Sequence, residues 1–187
     1  CAISNPLVSS TYRNSFIKKK QILFVARFEL SVKRHDQILK VWSIIHNKCL
    51  DWELIFLGDG PDRTIVEDMA RYLNLKNVRF EGFVNPDPYY SDASIICMTS
   101  DYEGFGLVLL EAMQYGVVPI AFNNWVSLKD IIVDEVTGIL AASGDLSDYS
   151  KKLEKLILND IFRNHLAENA MEYVKKFQVE EIGPKWL

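Results

Sequence analysis

The sequence predicts an α/β protein of Rossmann-like build: a three-layer α/β/α domain around a mainly parallel six-stranded sheet. Short apolar runs of strand length alternate along the chain with segments whose apolar residues fall at helical spacing. Glycine turns follow several of those runs, and two amphipathic segments close the chain. Parallel neighbours need crossover connections, and those crossovers supply helices for both faces of the sheet.

Residues 1–20, with Asn5-Pro6 and Ser9-Ser10-Thr11, read as an entry segment, because turn formers and hydroxyl residues dominate and no periodicity appears. The domain is expected over 21–187. Ile22 to Ala26 is the first strand, and Ile38, Leu39, Val41, Trp42 and Ile45 mark the helix after it. Glu53 to Leu57 is the second strand, Gly58-Asp59-Gly60-Pro61 a turn, and Arg63 to Leu73 a helix with Pro61 suited to its first turn. Val78 to Phe80 is a third strand. Ser94 to Met98 is a fourth, leading through a glycine turn into a helix that ends near Tyr115-Gly116. Pro119 to Phe122 and Thr137 to Ala141 complete the set. The closing helices carry apolar stripes at Tyr149, Leu153, Leu156 and Ile157, and at Phe162, Leu166, Ala170, Tyr173, Val174 and Phe177, so both are expected to dock.

At 187 residues, 49% hydrophobic and 25% charged, the chain is long enough for one ordinary core and far from disordered composition. A net charge of -4 argues against a nucleic-acid backbone binder. The one triple basic run, Lys18-Lys19-Lys20, is expected to be a solvated strand entrance rather than a nucleic-acid or lipid patch. Cys1, Cys49 and Cys97 and three scattered histidines form no metal-ligand spacing; the thiols fit a reducing cytoplasm, and Cys97 fits the core. No apolar run reaches the ~20 residues that span a bilayer. The start at Cys1 and the stop after Lys185-Trp186-Leu187 point to a piece of a longer protein.

In such sheets ligands bind beyond the carboxyl ends of the strands, so the residues just after each apolar run are the site candidates. After the first come Arg27 and Lys33-Arg34, after the second Gly58-Asp59-Gly60, and after the fourth Asp101 to Gly106. Gly104 and Gly106 let backbone approach a ligand at a helix start, where amide donors and the helix dipole favour a phosphate. Arg27 offers a planar fork and Lys33 a point charge, which together could neutralise a diphosphate; each alone reads more readily as a surface cation. Glu111 lies in the segment Leu107-Val108-Leu109-Leu110-Glu111-Ala112-Met113, where an unpartnered carboxylate would be costly. A vicinal diol such as a ribose would satisfy it; the alternative is a buried cation, with Glu103 as mere loop surface.

These residues resemble the retaining glycosyltransferases of the GT-B fold in the large family four. The matching features are Phe24-Val25-Ala26-Arg27-Phe28 with Lys33-Arg34-His35-Asp36, then Phe56-Leu57-Gly58-Asp59-Gly60-Pro61-Asp62-Arg63, then Val78-Arg79-Phe80-Glu81-Gly82-Phe83. They continue with Glu103 and Glu111 eight positions apart, then Glu111-Ala112-Met113, Asp130-Ile131-Ile132 and Thr137-Gly138.

The resemblance implies the donor-binding half of a GT-B enzyme, without the N-terminal acceptor domain. It implies Arg27 and Lys33 as the diphosphate clamp and Glu111 as the ribose ligand. Glu103, Gly104, Phe105, Gly106 and Leu107 would form the loop at the donor sugar and diphosphate. Gly82, Phe83 and Val84 would lie against the base, and Gly58 would permit close approach at the second strand end. The implied donor is a UDP- or GDP-linked sugar, transferred with retention and without a required metal or other cofactor, in bacterial polysaccharide or lipopolysaccharide synthesis. The implied setting is cytoplasmic or peripheral at the inner face of the plasma membrane, with any membrane contact through the missing half. Two departures concern packing: Ala26 stands where glycine is common, and Gly116-Val117-Val118-Pro119 is one residue longer than usual. Alternative readings are a non-catalytic nucleotide-binding regulatory module and a GT-B nucleotide-sugar epimerase.

Overall fold

The computed structural model describes residues 17–178. The expected entry segment before Ile17, Cys1, and the terminal Lys185-Trp186-Leu187 lie outside the described residues. The strands are β1 (Gln21–Val25), β2 (Glu53–Leu57), β3 (Val78–Gly82), β4 (Ile95–Met98), β5 (Val118–Phe122) and β6 (Ile139–Ala141). The helices are α1 (Leu30–Lys33), α2 (His35–Ile45), α3 (Arg63–Tyr72), α4 (Asp87–Asp92), α5 (Leu107–Gln114), α6 (Leu128–Ile131), α7 (Leu146–Leu158) and α8 (Asp160–Val174). All six strands are parallel, in the order β3-β2-β1-β4-β5-β6.

Side chains alternate across a strand, so residue parity sorts the core into two layers. Ile22, Phe24, Leu54, Phe56, Ile95 and Cys97 face one layer with Trp42 of α2, Val66 of α3 and Leu153 of α7. Leu23, Ile55, Leu57, Ile96 and Met98 face the other with Tyr90 of α4, Leu109 and Met113 of α5, and Val174 of α8. Burying one such aliphatic side chain contributes about 1.5–3 kcal/mol, so the two layers fix the strand register firmly.

Three short helices depart from the sequence expectation: α1, α4 and α6, of four to six residues each. Pro61 is also displaced. It sits in the turn before α3, whose N-cap is Asp62, and Gly60 holds that turn against Phe28: a Cβ at Gly60 would lie 2.5 Å from the Phe28 carbonyl oxygen. The basic run is a solvated strand entrance at Lys19 and Lys20, both exposed, while Lys18 is partly buried. Lys19 pairs with Asp92 at 2.6 Å, Lys20 pairs with Asp51, and Lys18 Nζ donates to the Tyr90 and Ser91 carbonyls at the end of α4, at 2.9 and 2.8 Å. Lysine at a helix carboxyl end meets the negative pole of the dipole.

The chain runs outward from β1 to β2 and β3, then returns to place β4 on the other side of β1. That reversal leaves a gap above the carboxyl ends of β1 and β4 with no crossover passing over it, the natural ligand crevice of an open parallel sheet.

Candidate functional site

The loops after β1 and β4 meet at this gap and are fastened to each other. The Asp101 amide donates to the Val32 carbonyl at 2.9 Å, and the Thr99 hydroxyl donates to the Arg34 carbonyl at 2.9 Å. Arg34, in the left-handed region at φ 54°, ends α1 and begins α2, and its guanidinium reaches Asp101 at 2.7 Å. Lys33 Nζ lies 2.8 Å from Glu103 Oε1, and the Ser100 hydroxyl donates to that same oxygen at 2.7 Å. Two of the expected site residues therefore form one ion pair across the crevice. Arg27 stands just past β1, exposed and without an ion-pair partner among the described residues.

On the far side of the glycine turn, α5 begins at Gly106, which is left-handed at φ 78°, and no side chain caps its amino terminus. Nothing lies within 4 Å of where a Cβ of Gly104 would stand, so the turn is open to approach there. Phe105 is partly buried, its ring set edge-on to Phe177, and Leu107 packs on the same core layer; what these two leave for a ligand is mainly their backbone. Uncapped amides at a helix start are unsatisfied donors next to a positive dipole end.

Glu111 is half-buried on α5, where the apolar sequence around it led us to expect either a diol or a cation as partner. Its partner within the fold is the Tyr90 hydroxyl, which donates to Oε2 at 3.3 Å. Burial raises the Glu111 carboxyl above the ordinary range, and the Tyr90 hydrogen bond pulls in the opposite direction. The Tyr90 phenol, fully buried, is pushed far up by burial and then by the nearby Glu111 charge. A neutral phenol donating to a carboxylate is the arrangement both effects favour.

The other expected positions divide. Gly82 is left-handed at φ 78° where the β2–β3 register slips, and beyond it Phe83 is 90% exposed and Val84 38% exposed, an apolar edge open to a flat ring. Gly58 makes a close approach of a different kind from the one expected: a Cβ there would lie 2.0 Å from the Ala26 carbonyl oxygen, so this glycine lets the loop after β2 press on the loop after β1. Trp125 is half-buried and packs on Gly106, with its ring Nε1 buried and unpartnered, and it borders a cavity of about 270 Å³. A larger cavity of about 690 Å³, with Asn123, Asp134 and Lys152 among its lining residues, lies at the ends of β5 and β6, beside the β1–β4 crevice rather than in it. Among the described residues no cluster of three or more His, Cys, Asp or Glu could hold a metal ion, and no helix is long and apolar enough to cross a membrane.

Sequence reasoning missed Tyr90 and Ser100. Tyr90 reaches its partner across 21 residues, which no local pattern records, whereas Ser100 stands only three residues before Glu103 and could have been found as a hydroxyl within reach of that carboxylate.

The model of one protein family, described as glycosyl transferases group 1, matches residues 12–173. The chain belongs to that family. Relatives of this group 1 glycosyltransferase domain include a Campylobacter jejuni enzyme, GalNAc-alpha-(1->4)-GalNAc-alpha-(1->3)-diNAcBac-PP-undecaprenol alpha-1,4-N-acetyl-D-galactosaminyltransferase, 29% identical over 181 residues, which are 95% of this chain and 49% of that protein. A crystal structure of S. aureus TarM in complex with fondaparinux, alpha-GlcNAc-glycerol and UDP matches with a TM-score of 0.92 at 26% identity, over 100% of this chain and 38% of that one. The crystal structure of the C-terminal domain of a group 1 glycosyl transferase, LpcC from Francisella tularensis, matches with a TM-score of 0.76 at 26% identity, over 87% of this chain and 89% of that one. This glycosyltransferase domain spans about half the length of the curated relatives it matches. The expected fold, a Rossmann-like three-layer domain around a six-stranded parallel sheet as in GT-B glycosyltransferases, is the fold observed.

Proposed function

We propose that this chain is the C-terminal, donor-binding half of a retaining glycosyltransferase, which binds a nucleotide-diphosphate sugar in the β1–β4 crevice for transfer to an acceptor in polysaccharide or lipopolysaccharide synthesis. One observation carries the reading: Glu103, the uncapped start of α5 and Glu111 follow one another along one loop-and-helix unit at the topological switch point, and Lys33 meets that unit from the loop after β1. The lengths and names of its relatives support it, above all a similar structure that holds UDP.

Under this reading Glu111 accepts from the ribose hydroxyls, and Phe83 and Val84 lie against the base. Arg27, Lys33 and the amides opening α5 take the diphosphate. As the bond between the sugar C1 and the phosphate oxygen breaks, its electron pair leaves with the diphosphate, and these cations and dipoles stabilise the growing charge. They supply that charge without a metal, and the reaction requires none. Glu103, beside Ser100, stands nearest the transferred sugar. The acceptor binds the other half of the enzyme, and this fragment alone binds nucleotide while transferring little sugar.

Calorimetry with UDP, GDP and ADP tests the reading. Arg27→Ala is expected to weaken diphosphate binding by roughly 1.5–3 kcal/mol, the value of a charge-assisted hydrogen bond, and Glu111→Ala to weaken it through the ribose. A folded full-length enzyme that binds no nucleotide, or one in which both variants bind as wild type does, would refute it. Transfer to the native acceptor separates a transferase from a non-catalytic module, and loss of sugar without epimerised product separates it from an epimerase.

A further inference from the structure

Glu111 cannot hold a diol unless its own carboxylate is held. A glutamate on a helix has three rotatable bonds, and in a half-buried, mostly apolar setting its charge seeks any donor that comes near. The donor the fold provides is Tyr90, whose side chain is fully buried and whose ring sits 5.8 Å from that of Tyr115. The phenol therefore has no freedom of its own, and its hydroxyl is delivered to one oxygen of the carboxylate, Oε2. Tyr90 also belongs to α4, which starts four residues after Phe83 and whose last carbonyls are gripped by Lys18. One hydrogen bond thus ties the helix behind the exposed Phe83-Val84 edge to the helix that carries Glu111.

We propose that Tyr90 is a positioning residue for nucleoside recognition: by donating to Glu111 Oε2 it fixes the carboxylate and leaves the other oxygen for the vicinal hydroxyls of the ribose. This rests on the reading of Glu111 as the ribose ligand. Tyr90 touches no part of the nucleotide and acts only through Glu111. Its loss should therefore be felt by ligands that carry ribose hydroxyls and not by ligands that lack them.

The test measures binding of UDP and of 2′,3′-dideoxy-UDP to the full-length protein, in wild type, Tyr90→Phe, Glu111→Gln and the double variant. Tyr90→Phe keeps the buried ring and is expected to weaken UDP about five- to tenfold, less than loss of a direct charge-assisted bond to the ligand because the bond removed holds the carboxylate, while dideoxy-UDP changes less than twofold. On the Glu111→Gln background the same change should cost UDP less than twofold. The pH profile gives a second readout, governed by the groups facing Glu111, which are Tyr90 and the more distant Asp87. Removing the phenol raises the Glu111 carboxyl further, so the acid limb of UDP binding moves to higher pH in Tyr90→Phe. Should Tyr90→Phe fold poorly, 3-fluorotyrosine at position 90 keeps the shape and donates more strongly, and the limb should then move to lower pH. Equal weakening of both ligands by Tyr90→Phe, or no weakening of UDP, overturns the proposal while nucleotide binding stands. A wild type that binds neither ligand removes the nucleotide reading and this one together.

Discussion

Lys33 and Glu103 lie 70 residues apart in sequence and 2.8 Å apart in space, with only 21% and 13% of their side chains exposed. The pair bridges the loops after β1 and β4. Under the proposed reading an incoming diphosphate would share Lys33 with a carboxylate already bound to it, so Glu103 would oppose the ligand that the lysine attracts. Glu103→Gln is therefore expected to raise the affinity for UDP alone by about threefold to tenfold, at a Coulomb cost lifted of about 1 kcal/mol. Sugar transfer by the full-length enzyme should fall by about 10²-fold if Glu103 orients the donor sugar as proposed. Titration of both proteins with UDP, alongside initial rates, checks the two halves of this statement; a weaker UDP complex in the variant would count against it.

Gly58 is held at φ 136°, with the Ala26 carbonyl where its Cβ would be. Gly58→Ala must both strain the backbone and push the loops after β1 and β2 apart, at a cost of about 3 kcal/mol or more. The displaced loop carries Arg27, so nucleotide affinity should fall along with stability. Urea denaturation and UDP titration of the same variant measure both. Gly104→Ala, at a position with nothing within 4 Å, is the control expected to leave stability within about 0.5 kcal/mol.

The strands were legible because buried parallel strands read as continuous apolar runs, and every observed strand boundary falls within two residues of its expected place. Glycine and the second glutamate of the 103–111 element marked the helix α5. What could not be read are the elements too short to show a period: α1, α4 and α6 are set by tertiary partners, among them Arg34 in the left-handed region and Lys18 on the end of α4. The candidate site was named from the sequence residue by residue, without Tyr90 and without its pairs. Lys33 with Glu103, and Tyr90 with Glu111, are joined only by the sheet order, and no spacing in the sequence records that.

Lys18 gives the fold an alkaline signature. Burial brings its ammonium down to about 8 from 10.5, against the opposing pull of Asp92. Between these two values the unfolded chain keeps a proton that the folded chain has released, so stability rises with pH across that window. Lys18→Met lacks the titrating group and should show a flatter stability curve from pH 8 to 10.5. Urea midpoints at pH 7.5, 9 and 10.5 for both proteins report the slope, and identical slopes would set the idea aside.

His35 gives an acid signature, beside the site. Its ring is fully buried, stacked on Phe28 at 4.5 Å and tilted against Phe24 at 4.8 Å, and neither ring nitrogen has a hydrogen-bond partner. Burial brings its pKa down to about 4 from 6.5, with Lys33 pushing the same way and Asp36 and Asp62 opposing. The folded state therefore carries a neutral imidazole at pH 5, where the unfolded chain is charged. Stability is fully present above 6.5 and is lost as pH falls towards 4, by up to about 3 kcal/mol at 1.36 kcal/mol per unit. His35→Leu fills a similar volume, leaves no unpartnered nitrogen and removes this slope, so the variant should match or exceed wild type at pH 7 and exceed it clearly at pH 4.5. Because other carboxylates titrate in the same range, the quantity to measure is the difference between the two urea-unfolding curves at each pH; a difference that does not grow below pH 6 would show that the imidazole is protonated within the fold. The residue follows directly on Lys33 and Arg34, so the same acid window should loosen the loop after β1 and weaken UDP binding in wild type more than in His35→Leu.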